Sequence, residues 1–170
     1  MQWQWYDWMS LVIVLGVAII QTIRGQKAGG MGLPLFEGLG LVVAAALATT
    51  LANGVSQAVS ISKPVVLMVL FLLFGVLAFV FGRWLFSLTN WSFQSMDGFF
   101  SFVFGVVAGW AIAHMVLRII IESQGANGAV ATTIPNAPIG REIFSFRTWN
   151  ALLRLLFKAK LGPEFNPDIG

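Results

Sequence analysis

The chain has 170 residues, of which 58% are hydrophobic and 10% charged, with a formal net charge of +3. Soluble domains carry about 25% charged residues, so this composition excludes an ordinary water-covered domain and predicts extensive contact with lipid. Cysteine is absent, which excludes disulfides, zinc–thiolate sites and iron–sulfur clusters; the cations sit at the ends of apolar runs, which excludes a nucleic-acid stripe.

Four apolar runs match the roughly 20 residues that cross a bilayer core. The first extends from Trp8 to Ile23, with Trp3, Trp5, Tyr6 and Trp8 at its entry as half of an aromatic belt and Arg24 and Lys27 at its exit. Asp7 stands where a secretory signal would carry basic residues, and no small-x-small cleavage site follows, so this run reads as a span. The second, Leu35 to Val59, is rich in alanine. The third, Val65 to Leu88, follows Lys63-Pro64, a suitable helix entrance. The fourth, Phe99 to Ile121, closes on Arg118 and Glu122. The runs lack the period-two alternation of barrel strands, so helices are the expected spans. Short connections with Gly25, Gly29, Gly30 and Gly32, and with Asn53, Gly54 and Ser56, favour antiparallel neighbours in one bundle over residues 1–122.

Residues 123–140 are rich in Gly, Ala, Asn, Thr and Pro and read as a flexible linker. Over 141–162, Phe146, Trp149, Leu152, Leu153, Leu156 and Phe157 recur at helical spacing opposite Arg147, Asn150, Arg154 and Lys158. This pattern predicts a basic amphipathic helix lying in the membrane interface; the alternative is that its apolar face packs on the bundle. Pro163 and Pro167 end it, leaving 163–170 as a tail. The expected fold is therefore all-α: a polytopic membrane protein with four transmembrane helices and a C-terminal interfacial helix. Asp7 before the first span, and Arg24, Lys27 and Arg83 on the opposite side, favour an outside N-terminus, whereas Arg118 and the basic tail pull the other way.

Polar groups within spans are costly and so are candidates for function. These are Glu37, Arg83, Asp97, His114 and Arg118. Glu37, Arg83 and Arg118 read first as interfacial charges whose side chains snorkel. His114, the lone histidine, lies deeper and is the better candidate for a proton or ion role. Asp97 and His114 are separated by seventeen residues, roughly 25 Å of helix, which excludes a catalytic pair. No HExxH, P-loop or GxSxG motif is present, and Gly38-Leu-Gly40 opens an apolar span with no strand before it, so it reads as a packing feature. No cofactor, metal site or enzymatic activity is expected.

Asp97, Ser101, Gly105, Gly109 and Ala113 recur every fourth residue, which gives the fourth span one flat ridge. Gly40, Ala44, Ala48 and Ala52 give the second span another. Such ridges let helices approach closely in lipid. Either the two faces pack together, or one of them pairs two copies of the chain. Asp97, at the head of the fourth span, is placed to complement the helix dipole and cap free amides.

This pattern, with the start of the chain, resembles the colicin V production protein (CvpA) family of bacterial inner-membrane proteins. Asp7 matches an aspartate near the head of the first span, and Arg24-Gly25 matches an Arg-Gly pair after it. Asp97, Gly105 and Gly109 match an Asp-Arg-x-x-Gly-x-x-x-Gly-x-x-x-Gly motif opening the last span, with Gly98 in place of the arginine and Ser101 in place of the first glycine. The resemblance covers about Trp5 to Glu122. It implies four spans in the bacterial inner membrane and a role in toxin (colicin V) production or secretion and envelope physiology, which names a process rather than a reaction. On this reading the chain is a non-enzymatic protein whose partners are the bilayer and other membrane proteins, itself included. A second expectation, from Glu37, Arg83 and His114 at membrane depth, is an oligomeric small channel or transporter subunit. A membrane enzyme ranks third.

Overall fold

The computed structural model describes residues 2–145, which form six α-helices and two 3-10 turns with no strand. The four expected spans are present: α1 (Trp5–Ala28), α2 (Gly32–Val59), α3 (Lys63–Thr89) and α4 (Asp97–Gln124), each long and apolar enough to cross a membrane. The chain is an all-α, membrane-embedded protein. Each helix extends a few residues past its apolar run, because backbone amides and carbonyls in lipid are best satisfied inside a helix. Pro64 opens α3 and Gly29 ends α1 in the left-handed conformation, as a Schellman-type stop requires. Large apolar side chains such as Val76, Val80 and Leu72 point outward at 60–64% exposure, which suits a lipid-facing surface and no aqueous one.

Neighbours in space are not simply neighbours in sequence. α1 packs chiefly on α4, α4 also on α2, and α2 on α3, so α2 and α4 are central while α1 and α3 flank them. The two flat ridges do not face each other. A Cβ at Gly105 would lie 2.7 Å from Ala18 Cα, and one at Gly109 2.7 Å from Val14 Cα, so the α4 ridge is pressed against α1. The α2 ridge splits instead: Gly40 abuts Ala78 of α3, while Ala48 and Ala52 pack with Val66, Leu67 and Met115. Gly38 meets the Phe104 carbonyl of α4, which makes it a close-approach position as expected.

The segment expected to be a flexible linker is folded. It contains α5 (Ala129–Thr133), a 3-10 turn at Ile134–Asn136 and the start of α6 (Pro138–Ser145). Val130, Ile134 and Ala137 are buried with Tyr6, Val14, Leu117 and Ile121, which supplies the apolar burial that composition alone concealed. The described part of the expected surface-lying helix also differs from that reading. Ile143 and Phe144 sit in the cluster between α1 and α4, and the Ile143 carbonyl accepts from Trp110 Nε1 at 3.3 Å. Trp110 is roughly 21 Å along the axis from the end of α4, so α6 dips between the spans. Non-spanning backbone at such depth is tolerated only when enclosed by protein. Phe146, Arg147, Trp149, Asn150, Leu152, Leu153, Arg154, Leu156, Phe157 and Lys158, which carry the rest of the amphipathic pattern, and the 163–170 tail lie outside the described residues.

Candidate functional site

The residues singled out in α1 and α4 converge on one seam. Antiparallel packing brings Gly25 to Ser101, Ala18 to Gly105 and Val14 to Gly109; at Gly25 an added Cβ would sit 2.9 Å from Ser101 Cβ. Ser101 is fully buried, and a bulkier residue there would press on the Gly25 backbone. The spacing by four supplies the flat face, and glycine lets the two backbones touch where any larger residue would part them.

Asp7 stands at one end of the seam. It is fully buried and binds three main-chain amides: Gln4 N at 2.8 Å through Oδ2, and Ile139 N and Gly140 N at 3.0 and 2.7 Å through Oδ1. The first bond belongs to the capping box of α1. The other two satisfy free amides in the first turn of α6, so one carboxylate caps two helices and meets the positive end of each dipole. Tyr6 closes over this junction, donating to Thr133 Oγ1 at 3.0 Å and lying against Gly140. The far end of α6 is also tied. His114 Nδ1 lies 3.3 Å from the Ile143 carbonyl, to which it donates in the tautomer that carries the proton on Nδ1, and the His114 ring stacks on Phe144 at 5.5 Å.

Glu37 departs from the interfacial reading. It is fully buried in the second turn of α2 and receives Arg24 through two hydrogen bonds, Nη1 to Oε2 at 2.6 Å and Nη2 to Oε1 at 2.7 Å. Gln21 Nε2 donates to the same Oε2 at 2.8 Å, and the Arg24 guanidinium lies 5.5 Å over the Phe79 ring. Gly82 of α3 permits this by bringing its backbone against Glu37. The bidentate fork is the strong form of the ion pair, and it joins α1 to α2 where these helices otherwise touch little. Asp97 opens α4, yet its carboxylate turns away from that helix's own first amides. It accepts from Phe93 N at 2.7 Å, Met31 N at 3.1 Å and the Ser92 hydroxyl, linking the α1–α2 and α3–α4 connections. Gly98 faces Gln26.

Arg83 is exposed near the end of α3 and joins none of these groups. Arg118 is almost wholly buried in α4, where an interfacial, snorkelling cation was expected. Glu122 lies between it and Lys63. Tyr6, expected in an aromatic belt at the membrane surface, is instead buried against α6, and Gln21 and Trp110 are site residues that the sequence did not single out. Gln21 carried a usable signal, being an amide deep in an apolar run and one turn before Arg24. Among the described residues, no three His, Cys, Asp or Glu side chains gather as a metal ligand set. Chemically the seam is a set of charge-neutralising clamps that fix how α1, α2, α4 and α6 meet.

Comparison of the chain with protein-family models, with curated proteins and with solved structures finds no match.

Proposed function

We propose that this chain is a non-enzymatic membrane protein of CvpA type, acting in the bacterial inner membrane to support toxin (colicin V) production or secretion and envelope upkeep through protein partners. One observation carries the reading. Of the residues on which the resemblance rests, Asp7, Arg24-Gly25, Gly105 and Gly109 serve the joints that hold α1 against its neighbours, and Asp97 ties the α1–α2 connection to the α3–α4 connection. A shared motif that builds a joint preserves a shape, and a shape is what partners recognise. The charges at membrane depth fit the same reading. Glu37 is bound by Arg24 and Gln21, and His114 is tied to α6. An N-terminus on the outer side of that membrane belongs to this proposal, following the Arg24, Lys27 and Arg83 flanks.

The test is photo-crosslinking in cells from lipid-facing positions such as Val76 and Val80, with identification of the adducts. Discrete protein adducts, a second copy included, are the expected result; adducts to lipid alone overturn the proposal. Ion or solute flux in proteoliposomes that falls on His114→Ala would replace it with a channel or transporter.

A further inference from the structure

Arg118 is 6% exposed and stands in α4 roughly 9 Å before its end, at the 1.5 Å rise per residue of a helix. Met115, Leu117 and Ile121 around it on the same helix are shut off from solvent. Its Nε is buried and meets no acceptor among the described residues. Its carboxylate contact, Nη2 to Glu122 Oε1, is 4.0 Å, too long for a hydrogen bond. That same oxygen is held at 2.8 Å by Lys63 Nζ from the first turn of α3. Among the described residues the cluster thus holds two cations and one anion, and the anion is engaged by the lysine. A guanidinium buried without a bonded partner is costly in a low-dielectric core. Leucine or methionine, as at Leu117 and Met115, would pack there without that cost.

We propose that Arg118, with Lys63 beside it, binds a phosphate oxyanion at this end of the bundle. The group is either the headgroup of an anionic phospholipid or free phosphate. The planar fork of arginine matches phosphate oxygens two at a time, and the ammonium of Lys63 adds a compact charge. Lys63 neutralises Glu122, which would otherwise repel the ligand. The side chain of Arg118 keeps 8% exposure, so the tip of the fork reaches the surface while its stem is enclosed.

Retention of phosphatidylglycerol by the purified full chain in detergent, followed by native mass spectrometry with phosphatidylcholine and inorganic phosphate as parallel probes, tests the site. The wild type should retain phosphatidylglycerol over phosphatidylcholine, and Arg118→Gln should weaken that retention about tenfold, the scale of one lost charge-assisted bond. Inorganic phosphate that competes at millimolar level assigns the site to the free anion, and phosphate without effect assigns it to lipid. Equal retention of the two lipids by the wild type together with no binding of inorganic phosphate overturns the proposal, as does unchanged affinity of Arg118→Gln for whichever probe the wild type binds. Should Arg118→Gln not fold, Lys63→Gln serves: weakened retention supports the site, and unchanged retention overturns it.

Discussion

Asp7 Oδ1 holds the main-chain amide of Gly140 at 2.7 Å across 133 residues of sequence. A carboxylate in the first turn of the first span thereby anchors the last described helix. Because Asp7 is fully buried with three amide donors, Asp7→Ala leaves two α6 amides without an acceptor. The expected cost is about 2–4 kcal/mol, combining a lost cap with unsatisfied buried donors. Asp7→Asn, which keeps an acceptor oxygen, should cost less. Thermal unfolding in detergent measures both, and hydrogen exchange at Ile139 and Gly140 should rise before global unfolding.

The clamp between Arg24 and Glu37 should respond asymmetrically. Arg24→Ala strands a carboxylate with no exposure, at a cost of about 3–5 kcal/mol. Glu37→Gln leaves a guanidinium whose side chain is 36% exposed and can turn toward the interface, so its cost should be smaller. Equal melting temperatures for the two variants would contradict the geometry.

Along the seam, Gly105→Val and Gly109→Val should separate α1 from α4, because the added Cβ alone would lie 2.7 Å from an opposing Cα. Overpacking of this kind costs about 1–3 kcal/mol or more. Gly16, on the facing helix α1, has nothing within 4 Å of an added Cβ. Gly16→Ala should therefore be neutral or stabilise by up to about 1 kcal/mol through helix propensity. Cysteine crosslinking between α1 and α4, followed by melting curves, distinguishes the two classes.

Trp110→Phe and His114→Phe each remove one donor to the Ile143 carbonyl while keeping an aromatic ring in place. Each should loosen α6 by about 1 kcal/mol, the net worth of a buried hydrogen bond. The double variant should exceed the sum, since the carbonyl then has neither donor. Protease susceptibility near Ser145 in detergent is the readout.

The spans were legible because length and apolarity are properties of a single segment. What each span touches is a property of two. Gly105 and Gly109 announce a flat face, but the spacing is silent on whether α1 or α2 lies against it. Glu37 shows the same limit: position along α2 gives its distance from the helix end, not the fact that Arg24 and Gln21 enclose it from another helix. The 123–140 stretch was misread because its Gly, Asn and Pro dominate the composition. Val130, Ile134 and Ala137 stand three and four residues apart, a short helical stripe that could have been seen. Asp97 was placed at the correct helix start, but its partners Met31 and Phe93 lie in two connections that only the assembled bundle brings together.

The double cap on Asp7 also imposes an order of events. During synthesis α1 reaches the membrane while the amides of Ile139 and Gly140 have yet to be made. Until they arrive, the acid at its head has only its local partner from Gln4. The cap at the head of α1 is therefore completed only once α6 has been made, while the glycine seam between α1 and α4 closes without any residue of α6.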